Sequence, residues 1–90
     1  MKLIIAIVRD RAAEAFARPM FLPSVGTAIR SFTDEVNRNN EENIMHHHPD
    51  DFELYDVGVF DDSNCKFELY DQPKLLVTGK QVKTSNWFTY

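Results

Sequence analysis

His46-His47-His48-Pro49-Asp50-Asp51-Phe52-Glu53-Leu54-Tyr55-Asp56-Val57-Gly58-Val59-Phe60-Asp61-Asp62 is the stretch on which the fold turns. It starts as a polar turn, passes into strand-forming residues and ends in Asp61-Asp62-Ser63-Asn64, which is reverse-turn chemistry. Pro49 fixes the direction in which the chain enters the strand. Phe52, Leu54, Asp56, Gly58 and Phe60 alternate with Glu53, Tyr55, Val57 and Val59, so the strand offers two usable faces. Lys66-Phe67-Glu68-Leu69-Tyr70 returns with strict alternation, Phe67 and Leu69 being expected inward, and Asn64 is expected to take the left-handed conformation of the turn.

A lone hairpin is barely stable in water, so the flanking chain has to complete it. Upstream, Leu3-Ile4-Ile5-Ala6-Ile7-Val8 is apolar without alternation, the pattern of a strand covered on both sides or lying at a subunit interface. Arg9-Asp10-Arg11 ends the run after six residues. That is shorter than a secretory core of roughly 7–15 residues or a membrane span of about 20, so a buried strand is expected and no membrane partner. Residues 11–18 are alanine-rich and suit a turn or two of helix, limited by Pro19. Pro19-Met20-Phe21-Leu22-Pro23 is expected to be extended, and Met20, Phe21 and Leu22 to pack or to contact a partner. From Ser24 to about Asn39 the period changes. Val25, Ile29, Phe32 and Val36 repeat at helical spacing with Ala28 beside them, Ser24 is the expected N-cap, and Asn39-Asn40 is the expected stop. Downstream, Asp71-Gln72-Pro73 breaks the returning strand, and Leu75-Leu76-Val77-Thr78 reads as a third short strand before Gly79.

The expected fold is therefore α+β: a small single domain over residues 1–90, of β-α-β-β-β order, with one amphipathic helix packed on an antiparallel sheet. Residues 80–90 read as a tail, either flexible or ordered by a partner. In a chain of 90 residues, the core is marginal unless another subunit covers part of it, and there is little room for a cleft with its own supporting shell.

Charge is unevenly distributed. The formal net charge is -4, yet residues 1–38 hold six Lys/Arg against four acids, residues 39–72 one against ten, and residues 74–90 three against none. An acidic whole argues against tight sequence-independent DNA binding, though a polarised surface can still hold phosphates. The candidate phosphate contacts are Arg9, Arg11, Arg30, Arg38, Lys74, Lys80 and Lys83, with Trp87 as a base-stacking ring. The competing reading folds Trp87 and Phe88 back onto the core.

Catalysis finds little support. Three consecutive His in a loop do not converge on one ion without unusual backbone, so no metal and no cofactor are expected. The carboxylates Asp50, Asp51, Glu53, Asp56, Asp61 and Asp62 read as a solvated acidic segment. Asp56 is the exception: it shares an apolar strand face and needs a partner such as Arg30 or a backbone N–H. Cys65 lacks a His partner and fits a reducing compartment, and Gly26, Gly58 and Gly79 form no phosphate loop.

Several of these segments together resemble one family. The strand ending in Arg9-Asp10, Pro23 ahead of Thr27-Ala28-Ile29-Arg30-Ser31-Phe32, and the run His48 to Asp62 are similar to the small nonstructural protein of gokushoviruses, the microviruses with circular single-stranded DNA genomes. Its members carry an A-I-R-x-F helix and an H-P-x-D-[YF]-x-L-Y-x-[IV]-G-x-[FY]-D stretch. Asn64 departs from a hairpin that commonly closes with Gly, and the Lys/Trp tail has no counterpart. The resemblance implies a nonstructural bacteriophage protein of the host bacterial cytoplasm, without catalytic residues, assisting genome replication or single-stranded DNA synthesis and packaging. DNA binding follows from that reading, with single-stranded DNA or a viral or host replication protein as partner. The alternative is a protein-protein adaptor acting as a homo-oligomer, such as a homodimer joined through residues 3–8 or 19–23, and metal-dependent nuclease chemistry at His46 to Asp51 is the third reading.

Overall fold

A computed structural model describes residues 1–84. Its elements run β1 (Lys2–Asp10), β2 (Ala15–Phe16), β3 (Met20–Leu22), α1 (Val25–Asn37), α2 (Ile44–His47), β4 (Phe52–Asp61), β5 (Lys66–Thr78) and α3 (Gly79–Val82). One five-stranded antiparallel sheet has the order β2-β1-β4-β5, with β3 paired to the same edge of β1 as β2. The α+β reading and the helix on the sheet hold, with extra short strands. Among the described residues no helix is long and apolar enough to cross a membrane.

The helix forms where its period says it should. The Ser24 hydroxyl accepts the Thr27 N–H at 3.1 Å, a side-chain N-cap. Ala28, Phe32 and Val36 are buried, and with Ala6, Phe52 and Leu54 they make the core on one face of the sheet. Its C-terminus is closed by a polar residue three positions beyond the expected stop. Buried Asn43 donates from Nδ2 to the carbonyls of Glu35 and Arg38 at 2.8 and 2.9 Å, and its Oδ1 accepts the Met45 N–H. That one side chain satisfies carbonyls that α1 leaves over and starts α2. Asn37 ties down the segment that follows β5: Nδ2 donates to Val82 O at 3.0 Å, and Oδ1 accepts from the Thr84 N–H and hydroxyl.

Four expectations need correcting. Residues 11–18 are not helical, because the Asp10 carboxylate accepts the N–H groups of Ala12 and Ala13 and turns the chain back, so that Phe16 pairs with Arg9. In the β4–β5 turn, Cys65 takes the left-handed conformation at φ 60°, while Asn64 accepts the Lys66 N–H. The third strand is no separate element. β5 runs through Pro73 by looping Tyr70 to Pro73 out opposite the single residue Val57, an edge position where the missing N–H of proline costs no ladder bond.

Val57 is also an extra residue against β1, since Ile5 pairs with Gly58 and Ala6 with Asp56. A bulge of this kind turns the following side chains to the opposite face. Phe52, Leu54 and Asp56 therefore lie beneath α1, but Phe60 does not join them. Phe67 and Leu69, expected inward, are 55% and 67% exposed on the other face. Asp56 finds its partner at the kink itself, accepting the Gly58 N–H at 3.2 Å.

Gly58 is required at that kink because a Cβ would fall on the Glu68 carbonyl oxygen and 2.9 Å from Leu69 Cα, neither of which can move cheaply. Gly26, in α1, would place its Cβ no nearer than 3.9 Å to Ser24 Oγ. Gly58→Ala is accordingly expected to destabilise the fold by about 3 kcal/mol or more, whereas Gly26→Ala should stabilise it by about 0.5 kcal/mol through the unfolded chain. Urea unfolding of the two variants checks both signs, and equal effects would contradict the backbone approach at Gly58.

Candidate functional site

Among the described residues, the face of the sheet away from α1 carries apolar side chains and no helix. β1 contributes Ile5 and Ile7, β3 contributes Phe21 opposite Ile5, β4 contributes Val57 and Phe60, and β5 contributes Phe67 and Leu69. Phe60 lies 4.6 Å from Phe67 and 5.4 Å from Phe21, centroid to centroid, and Phe21 stands 6.3 Å from Phe67. These are edge and tilted contacts that fix the three rings as one aromatic ridge. Beside it runs an open groove of about 340 Å³ whose walls include Ile7, Val57, Leu69 and Pro73. Phe16, Phe21, Phe67, Leu69, Tyr70 and Leu75 are each 41–67% exposed. Scattered apolar exposure is ordinary, but a contiguous patch on one face marks a contact surface.

One corner of this face is polar. Arg9 Nη1 lies 3.7 Å from Glu53 Oε1, and the Tyr55 hydroxyl donates to the same oxygen at 3.1 Å. The Arg9 guanidinium also sits 5.7 Å from the Phe16 ring centroid, and Phe16 meets Tyr55 edge-on at 5.9 Å. Burial, and then the Glu53 hydrogen bond, raise the Tyr55 phenol above its ordinary pKa. At the β5 edge Lys74 Nζ stands 5.1 Å from the Tyr70 ring.

The remaining cations lie elsewhere. Arg11 is exposed past the end of β1 and reaches the Asp50 carbonyl at 3.4 Å. Arg30 is exposed on α1. Arg38, at the end of α1, is held by Glu35 at 2.7 and 3.1 Å, which lowers the Glu35 pKa and raises its own. Lys80 is exposed on α3. Lys83 points back to α2, donating to the His46 carbonyl at 3.0 Å and lying 2.8 Å from its Nδ1. An imidazole Nδ1 that accepts from Lys83 cannot also donate to Val36 O, 3.1 Å away, so one of these two contacts is made at a time. Trp87 lies outside the described residues. Of the cations singled out in the sequence, the fold brings Arg9 to the aromatic face and Lys74, which pairs opposite Asp56, only to the Tyr70 ring at its edge, and leaves the others apart from it.

Met20 and Leu22 pack against the core beneath α1, so only Phe21 of that trio is presented outward. His46 and His47 cap backbone carbonyls, His47 Nε2 lying 3.1 Å from Glu41 O. Among the described residues no three His, Cys, Asp or Glu stand close enough to hold a metal ion. Sequence reasoning missed Phe16, Tyr55, Phe60, Phe67 and Leu69 as surface residues. Alternation in β5 was a usable signal for its side chains, but the side they take depends on the Val57 bulge.

At the hairpin tip Asp61 Oδ1 accepts from the Ser63 hydroxyl at 2.6 Å and N–H at 3.0 Å, and these bonds lower its pKa. A depressed carboxyl contributes stability that is present above its unfolded pKa and lost as pH falls through the folded one. Asp61→Asn is therefore expected to lower stability at neutral pH, where the carboxylate contributes in full, and to flatten the acid limb of the stability-pH curve below about pH 4, the ordinary Asp range. Urea unfolding between neutral pH and pH 2 measures it, and an unchanged acid limb would dismiss the tip carboxylate as a contributor.

Two comparisons bear on this geometry. The family model described as "Phage ORF5 protein" matches residues 3–82. Over 62 residues the chain is 34% identical to Protein ORF5 of Chlamydia phage 1, an alignment covering 67% of this chain and 65% of that relative. The chain thus spans a little under two thirds of the curated relative's length. No solved structure matches it.

Proposed function

The chain belongs to the Phage ORF5 protein family, a nonstructural family of gokushoviruses, and on that premise we propose that it acts in the infected cell by binding a protein through the uncovered face of its sheet, without catalysis. It is a microvirus accessory protein, and its place in this reading is the replication of the genome or the synthesis and packaging of single-stranded DNA in the host cytoplasm. A viral or host replication protein is the partner class.

The observation that carries the proposal is the aromatic ridge and groove, with six large side chains 41–67% exposed on one face. A soluble protein rarely leaves such a patch in water unless something covers it. The chemistry of the polar residues supports binding over catalysis. Asp10 and Asp61 are engaged in their own turns, Asp56 in its own bulge, and His46 and His47 against carbonyls, so each has a local structural occupation.

A second reading has one specific observation behind it. Arg9 over Phe16 and Lys74 over Tyr70 set cations against rings at two borders of the same face, and bases of single-stranded DNA stack on such rings for roughly 1–3 kcal/mol each. It ranks second because counterion release needs several free cations, and of these two one is paired with Glu53 on a chain of net charge -4.

Leu69→Glu tests the first reading, since Leu69 is 67% exposed and a charge there should change stability by no more than about 0.5 kcal/mol. Phage carrying it are expected to lose at least about tenfold in single-stranded progeny genomes, as a drop of 1.4 kcal/mol in a required contact gives. Unchanged progeny with a folded variant would overturn the adaptor role. A labelled single-stranded oligonucleotide bound tightly at about 50 mM salt and released near 200 mM would put the DNA reading first.

A further inference from the structure

We propose that the occupant of the uncovered face is a second copy of this chain, packed sheet to sheet across a twofold axis so that the two α1 helices lie on the outer sides of a double sheet. The inference rests on the reading that this face binds protein, and it names the protein.

Area is the first argument. Aromatic side chains bury about 150–250 Å² each when fully covered, so Phe16, Phe21, Phe67 and Tyr70, at 41–55% exposed, leave on the order of 400 Å² in water, to which the exposed Leu69 and Leu75 add. A standard interface takes roughly 800 Å² from each partner. The partly exposed neighbours on the same face, among them Ile7, Tyr55 and Phe60, supply the remainder. One sheet face thus holds what a stable dimer needs.

Self-complementarity is the second. In a twofold interface every patch near the axis meets its own copy, so a central charge faces itself at close range. Among the described residues, the middle of this face, formed by Ile5, Ile7, Phe21, Val57, Phe67 and Leu69, contains no charged side chain. It presents both halves of a fit: Leu69 is its most exposed large side chain, and the groove of about 340 Å³ lies beside it. Across the axis Leu69 of each copy enters the groove of the other.

The sheet edge argues for face-to-face packing over strand addition. β5 is an edge strand, but Tyr70 to Pro73 leave the ladder and Pro73 has no N–H to give, so the longest edge is broken midway. Core size points the same way. Among the described residues the buried apolar ones are Ile5, Ala6, Ala28, Phe32, Val36, Phe52 and Leu54, a small set for independent stability, and a second layer on the bare face enlarges it.

Sedimentation velocity of the full chain between about 1 and 100 µM decides the matter, a range that brackets ordinary dimer affinities. The wild type is expected to run at twice the 10.5 kDa of one chain, while Leu69→Glu and, independently, Leu75→Lys raise the dissociation constant at least about 100-fold. Arg30→Glu, on the outer side of α1, should leave the dimer intact. Circular dichroism confirms that each variant is folded, and having two variants on separate parts of β5 keeps the test valid if one is not. A wild type that stays monomeric at 100 µM, or a dimer that folded Leu69→Glu and Leu75→Lys leave unaltered, overturns the proposal. If the monomer result comes with a progeny defect in Leu69→Glu phage, the second copy alone is eliminated and another protein covers the face. A dimer broken by Leu69→Glu without a progeny defect confirms the occupant and removes the adaptor role.

Discussion

A single extra residue, Val57, sets which side chains meet the helix and which meet the outside. Because it bulges against β1 and faces the looped-out Tyr70–Pro73 on β5, the strand is rephased at its midpoint. Before the kink Phe52 and Leu54 enter the core, and after it Phe60 crosses over to join Phe21 and Phe67. The buried Asp56 carboxylate, accepting the Gly58 N–H, holds the kink in shape, and Gly58 lets the Glu68 backbone approach. A buried carboxylate without that donor would cost several kcal/mol, so the polar contact and the bulge require each other.

Closure of the helix side depends on a different kind of contact. The terminal carbonyls of α1 meet Asn43, and the chain beyond β5 is fastened by Asn37 and by the Thr78–Gln81 capping box of α3. Gly79 lets α3 settle against the Pro49 carbonyl, where a Cβ would collide. These amide clasps occupy the edges of the helical layer and leave its apolar centre small. The polar side chains thus fasten one layer, and among the described residues the opposite apolar face is left without a covering layer.

Much of this was legible in the sequence, and the reasons are local. Ser24 and the Ala28-Phe32-Val36 spacing specify α1 without reference to the rest of the chain, and Pro19 and Pro23 force the extended segment that becomes β3. What escaped was non-local. Residues 11–18 have helical composition, but Asp10 captures the N–H groups that a helix would need, and pairing with β1 then outweighs propensity over so short a window. The bulge leaves only Gly58 as a trace, and a lone Gly inside a strand does not say which residue is surplus. Once that phase is unknown, alternation in Lys66 to Tyr70 tells that Phe67 and Leu69 share a side without telling which side is covered. The acidic and basic segments were equally visible, but whether a cation is free depends on neighbours such as Glu53 and Glu35.

Where the family match lies sharpens the choice between the two surfaces that the sequence offered. The matched residues, 3–82, contain every member of the aromatic face from Ile5 to Leu75 and stop short of Lys83 and Trp87. A role common to the family has to be carried by what falls inside the match, so a sheet face is a better seat for it than a lysine and tryptophan tail. The charge pattern agrees. Polyanion binding would need several free cations gathered beside the rings, yet Arg9 and Arg38 are paired with carboxylates, Arg30 and Lys80 lie on α1 and α3 away from the aromatic face, and the chain as a whole is acidic. An apolar contact has no such requirement. It gains from salt or is indifferent to it, and net repulsion between acidic chains acts only over about a Debye length, roughly 8–10 Å at physiological salt. The acidic balance therefore weighs against a phosphate ligand far more than against a protein one, and the aromatic ridge is the surface that the fold leaves for it.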